Sequence, residues 1–195
     1  MLLQRVLSAI VLVPVVLAAT YYGGPWFFAI VAIAALLAGY EYFRLLQSGG
    51  YCPAYGPGLL LIALFLLEGF FPGWRIAGGG LALISMALMT WQVFQRNAPL
   101  SMANWALNLA GAVYIGWGCH HFVALRALDK GLYWVILLFA ITWICDSAAY
   151  FVGHAWGRHH FFPKISPKKT REGAIAGVIA GVATSLIVGA IIAIP

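Results

Sequence analysis

"AIAGVIAGVATSLIVGAIIAI", residues 174–194, carries no charged side chain. About 20 such residues in a row is the length an α-helix needs to cross the hydrocarbon core of a bilayer. Directly before it stands "PKISPKKTREG", residues 163–173, with Lys164, Lys168, Lys169, Arg171 and Glu172. An uncharged run abutting a charged one sets the expected fold: a helix in lipid with a polar segment at its mouth. Across the junction Gly173, Gly177, Gly181, Ser185 and Gly189 recur every four residues. On a helix that spacing makes a strip without bulk, which lets a second helix approach closely. Its partner is either an earlier helix or lies outside this chain.

The rest of the chain repeats the pattern. Of 195 residues, 64% are hydrophobic and 8% charged, with a mean hydropathy of +0.95. Soluble domains carry about 25% charged residues, so a soluble fold of this composition would have a largely greasy surface. The expected class is an all-α, polytopic transmembrane helix bundle, because lipid cannot satisfy a free backbone amide. About seven spans are expected, near residues 6–22, 26–46, 59–71, 76–94, 105–125, 132–152 and 174–194, within a single membrane-embedded helical domain over 1–195. The first run follows Arg5 and resembles a signal peptide, but it is long enough to stay in the bilayer and many further spans follow. Cys52, Cys119 and Cys145 are too few and too scattered for a disulfide or metal framework. The adjacent pairs His120-His121 and His159-His160 diverge by about 100° on a helix and make no ready metal site.

The net charge of +6 fits loop bias and attraction to anionic lipid or phosphate, not nucleic acid. With the N-terminus in the cytoplasm, Arg5, Arg44, Arg96, Arg158, Lys164, Lys168, Lys169 and Arg171 fall inside, and Arg75, Arg126 and Lys130 outside. The positive-inside rule favours that arrangement. It places the basic segment on the cytoplasmic side of a bacterial-type inner membrane, where nucleotides are.

Asp146 lies within the sixth apolar run. A carboxylate at membrane depth is costly unless paired or wet, so it marks a candidate site unless it pairs with a nearby cation or caps a helix. Tyr150 and His154 follow at one-turn intervals and extend a polar strip toward the loop. Glu41 and Arg44, three apart, read as a surface ion pair. Glu68 is expected to carry no chemistry. After Gly153 come Arg158, Lys164, Ser166, Lys168, Lys169, Thr170 and Arg171, ending at Glu172-Gly173 where a helix begins. Backbone amides at a helix start, with lysines beside them, suit a phosphate. The spacing is not that of a P-loop.

The block "DSAAYFVGHAWGRHHFFPKISPKKTREGAIAG", residues 146–177, resembles the CDP-diacylglycerol synthases, also called phosphatidate cytidylyltransferases. That family shows Asp-[Ser/Thr]-x-Ala-Tyr, then Gly-x-x-x-Gly-[Lys/Arg], then Pro-x-[Ile/Val]-Ser-Pro-x-Lys-Thr-Trp-Glu-Gly. Here the matching residues run from Asp146, Ser147, Ala149 and Tyr150 through Gly153, Gly157 and Arg158. They continue with Pro163, Ile165, Ser166, Pro167, Lys169, Thr170, Glu172 and Gly173. "RVLSAIVLVPVVLAATYYGG" and "GYEYFRLL" are similar to the family's first two helices. Arg171 stands where the family has Trp. The family's Asp-Arg-x-Asp element, which would hold the main metal carboxylates, lies beyond residue 195, so the chain reads as the N-terminal part of a longer family fold.

The resemblance implies a nucleotidyltransferase that moves CMP from CTP to phosphatidate, giving CDP-diacylglycerol and pyrophosphate with Mg²⁺. It implies catalytic roles for Asp146 and Lys169 and a contribution of Asp146 to the metal. Arg158, Lys164, Ser166, Lys168, Thr170, Arg171 and Glu172 would bind substrate. Membrane lipid is a further partner, and the oligomeric state, a homodimer included, stays open. The alternative is a truncated or non-catalytic membrane protein whose basic loop binds anionic lipid. A transporter is a third reading, supported only by the one intramembrane carboxylate.

Overall fold

A segment that enters lipid must close its own backbone hydrogen bonds, and a helix does so locally. The computed structural model describes residues 2–94, 101–162 and 166–192, and most of these are helical. The helices are α1 Leu2–Tyr22, α2 Gly24–Ser48, α3 Tyr55–Phe70, α4 Ile76–Phe94, α5 Ser101–Ala127, α6 Gly131–Trp156 and α7 Arg171–Ile192. The expected all-α membrane-type bundle is the fold class. One element departs from helices throughout. Strands β1 His160–Phe162 and β2 Ser166–Thr170 form an antiparallel hairpin, pairing His160 with Thr170 and Phe162 with Ser166 around an irregularity.

Each expected span corresponds to a helix. Four of them, α2, α4, α6 and α7, are long and apolar enough to cross a bilayer by length and composition. The 16 residues of α3 reach only about 24 Å at 1.5 Å per residue. Helix α5 has the length, but it carries Asn104, Asn108, His120, His121 and Arg126, several of which serve the interior.

Contacts divide the chain between Asp129 and Lys130 into two compact units. In the first, α3 packs on α2, α4 and α5. It buries Gly58, Leu61, Ile62, Phe65, Leu66 and Gly69 at spacings of three and four. Helix α2 buries Phe27, Val31, Ala35, Gly39 and Phe43, every fourth residue. Glycines let the backbones meet: a Cβ on Gly69 would lie 2.8 Å from the His120 carbonyl oxygen, and one on Gly116 would lie 3.0 Å from Ile62 Cα.

Some polar side chains in this unit cap helices. Arg126 donates from Nε to the Thr20 carbonyl at 2.8 Å and from Nη2 to the Tyr21 carbonyl at 3.1 Å. Those are free carbonyls at the negative end of α1. Gly23, with φ +66°, turns the chain there, and a side chain on it would run into the guanidinium. Glu68 accepts the Ala77 N–H at 2.6 Å, satisfying the start of α4. The buried Asn104 and Asn108 hold the α2–α3 connection, through the Cys52 N–H at 3.0 Å and the Ala54 carbonyl at 3.2 Å. The expected pair of Glu41 with Arg44 does not form, and both side chains are exposed. In water, an exposed pair gains too little to offset the lost freedom of two long side chains.

In the second unit α7 packs on α6, so the small-residue strip has its partner within this chain. A Cβ on Gly173 would sit 2.6 Å from the Ala149 carbonyl oxygen and 3.0 Å from Gly153 Cα. On Gly177 it would lie 3.1 Å from the Cys145 carbonyl oxygen, on Gly181 3.7 Å from Ile141, and on Gly189 it meets nothing within 4 Å. The two helices are therefore tightest beside the hairpin and part with distance from it. The exposed flank of α7, with Ile175, Val178, Ile179, Val182 and Leu186, suits lipid.

This gradient predicts a graded response to adding one methyl group. Gly173→Ala must displace backbone and should destabilise the α6–α7 pair by about 1–3 kcal/mol. Gly189→Ala should be neutral or stabilising by up to about 1 kcal/mol, from helix propensity alone. Denaturant unfolding in detergent, compared between the two variants, checks the order.

Candidate functional site

The glycines of the 146–173 block are spaced to bring three elements together. Gly153 and Gly157 stand one turn apart at the end of α6, and the Gly157 N–H bonds the Gly153 carbonyl at 3.2 Å. A Cβ on Gly153 would lie 3.0 Å from Thr170 Oγ1, and one on Gly157 2.6 Å from it. Thr170, the last residue of β2, is buried in that bare notch. Its Oγ1 accepts the Gly173 N–H at 3.3 Å, which is the N-cap arrangement that satisfies a free amide in the first turn of α7. So Ala149, Gly153, Gly157, Thr170 and Gly173 form a close-packed hub from which the hairpin projects.

A second tie closes the hairpin at its root. The Glu172 carboxylate receives His159 Nδ1 at 2.6 Å and the His159 backbone N–H at 3.3 Å to each oxygen. The Arg171 N–H donates to the His159 carbonyl at 2.9 Å. His159 carries no sequence signal for this role: it contacts Glu172 only because the hairpin folds back across 13 positions. The signal that was available is Gly-x-x-x-Gly at 153 and 157, which marks close approach.

The polar residues sort into two groups. Thr170 and Glu172 are committed to hub and root. Arg158, Lys168, Lys169 and Arg171 are exposed, and among the described residues no ion pair engages any of them. Strand alternation sends Lys168 and Lys169 to opposite sides of β2. Ser166 is half-buried at the start of that strand. Lys164 lies outside the described residues, between the two strands.

Asp146 is exposed on α6, and among the described residues no hydrogen bond or ion pair holds it. Because α6 continues to Trp156, Asp146 lies about 15 Å below the helix end at 1.5 Å per residue. Tyr150 and His154 follow it along the helix, both exposed, with rings near parallel at 6° and 6.1 Å apart. The expected strip is present, and it leads from Asp146 toward the hairpin.

Among the described residues no group of three or more His, Cys, Asp or Glu side chains gathers. The second unit contains two carboxylates, Asp146 and Glu172, and Glu172 is taken by His159. Among the described residues no protein cage for a cation is built. A single carboxylate is compatible with Mg²⁺ only where phosphate oxygens and water fill the remaining positions.

The profile of the cytidylyltransferase family matches residues 3–195. A phosphatidate cytidylyltransferase of Brucella suis is 31% identical over 98% of this chain and 68% of its own length. One of Haemophilus influenzae is 29% identical over 96% of this chain and 72% of its own length. One of Bacillus subtilis is 37% identical over 63% of this chain. The chain spans less than half the length of the Bacillus and Staphylococcus relatives it matches, from 36% to 47%. The chain belongs to the cytidylyltransferase family and is an integral membrane protein.

The cap at Thr170 gives a direct check on the hub. Thr170→Val keeps the shape and removes the acceptor, and should cost about 1 kcal/mol of stability. Thr170→Ser keeps the acceptor and should preserve most of it. Unfolding in detergent distinguishes the two.

Proposed function

We propose that this protein takes part in the transfer of CMP from CTP to phosphatidate, yielding CDP-diacylglycerol and pyrophosphate at the cytoplasmic face of a bacterial-type inner membrane. What supports this reading, beside the family, is the basic hairpin. Four exposed cations without carboxylate partners stand on or beside one small ribbon, at the tight end of two membrane helices. Such an arrangement suits a polyanion that meets a lipid headgroup at the bilayer edge. The positive-inside bias supports a cytoplasmic N-terminus and hairpin.

In this reaction a phosphate oxygen of phosphatidate attacks the α-phosphorus of CTP. A new P–O bond forms, the bond from the α-phosphorus to the bridging oxygen of the β-phosphate breaks, and pyrophosphate leaves with the electron pair. Negative charge builds on phosphate oxygens, and preorganised cations stabilise it. Lys169 and Arg171 serve the phosphates from one side, and Arg158, Lys164 and Lys168 complete the positive rim. Ser166 donates a hydrogen bond. Thr170 acts from within the hub by fixing β2. Mg²⁺, where bound, would neutralise phosphate charge, with Asp146 as a carboxylate ligand from this chain. Arg171, in the family's Trp position, exchanges an aromatic surface for a further cation.

Membranes carrying the protein should convert radiolabelled CTP and phosphatidate into CDP-diacylglycerol. Lys169→Ala should lower turnover by about tenfold or more, the scale of a lost charge-assisted contact. Product formation no greater than in empty membranes would overturn the transfer reaction, and unchanged kinetics in the variant would remove Lys169 from it. Anionic vesicles that bind the protein equally well with or without CTP, in the absence of turnover, would favour the lipid-anchoring alternative.

A further inference from the structure

We infer that Glu172 and His159 form a clasp that sets the position of the basic hairpin, making Glu172 a positioning residue that does not touch substrate. The kinetic part of this inference rests on the proposed transfer reaction; the structural part does not.

The geometry is two-sided. The Glu172 carboxylate binds both the backbone N–H and the imidazole Nδ1 of His159, and the neighbouring Arg171 N–H binds the His159 carbonyl. All three polar groups of His159 that can face α7 are thus tied to its first two residues. The hairpin between them carries Lys168 and Lys169, and its last pair, His160 with Thr170, starts where the clasp ends. The carboxylate is thus engaged by two donors of one residue, the backbone N–H shared between both oxygens and Nδ1 on Oε1, which orients it toward His159.

Magnitude decides what the clasp is for. The His159 side chain is 73% exposed and that of Glu172 29%. Ion pairs this open to water contribute little to global stability. Its effect is instead geometric. Around it stand Arg158, Lys168, Lys169 and Arg171, like charges that repel one another, and Glu172 is the one carboxylate on this part of the chain that is held among them. Fixing the root in the face of that repulsion holds Lys169 and Arg171 in place before an anion arrives, which lowers the ordering cost of binding.

Two measurements on the membrane-embedded protein test this. The first uses no substrate: trypsin should cut after Lys168 and Lys169 several-fold faster in Glu172→Ala and His159→Ala than in the native protein. Glu172→Gln should stay near native, because an amide oxygen still accepts from His159. The second is steady-state kinetics. Glu172→Ala should raise the KM for CTP by about tenfold, one charge-assisted contact's worth of misplacement, with a smaller change in kcat. Glu172→Gln should restore the native KM. The double variant Glu172→Ala/His159→Ala should be no worse than either single one. Native cutting rates in Glu172→Ala would overturn the clasp. Loss of activity in Glu172→Gln equal to that in Glu172→Ala, with native cutting, would make the carboxylate a substrate or metal contact and overturn the positioning role. If the native protein turns over no CTP, the transfer reaction fails and the cutting rates still decide the clasp.

Discussion

The approach of α6 to α7 at Gly153 and Gly173 is the constraint on which the second unit depends. At this point neither helix carries a side chain, so the backbones come near enough for Thr170 to sit between Gly153 and Gly157 and cap α7. In lipid there is no hydrophobic gain from pressing two apolar helices together, so close van der Waals packing and satisfied polar groups must hold them. The hub supplies both. The hairpin is then held at its base by α6, by the first turn of α7 and by Glu172, while Lys168 and Lys169 stay exposed.

This accounts for the composition of the 146–173 block. Ala149, Gly153, Gly157, Thr170 and Gly173 allow contact, and Arg158, Lys168, Lys169 and Arg171 supply charge. The two sets alternate along the chain because the chain runs up one helix, folds back through a ribbon and enters the next. A motif that looks continuous in sequence is two interleaved surfaces in space, one dry and one wet. Asp146 belongs to neither, and it remains a lone carboxylate on an apolar helix, costly to keep without a use.

Much of the helical frame was legible from apolar runs, because a bilayer asks for length and hydrophobicity before anything else. The boundaries of α4 matched, whereas α3 and α6 extended beyond their runs: hydropathy does not register the packing of Gly58 on Phe43 or of Gly153 on Thr170. The role of the small-residue strip was readable from its spacing, but the identity of its partner was not. The hairpin was hidden because strands of three and five residues have no stability of their own and form only where tertiary contacts hold them. The Glu41–Arg44 spacing permits an ion pair without compelling one, and solvent decided against it. The charged residues of the candidate site stood out in sequence, yet nothing there separated Glu172, bound at the hairpin root, from the free lysines beside it.

The hub has a consequence for biogenesis. Its contacts require α6 and α7 side by side, so the ribbon cannot take its shape while α7 is still being synthesised. The form of this end of the protein is therefore tied to the arrival of a single helix, α7.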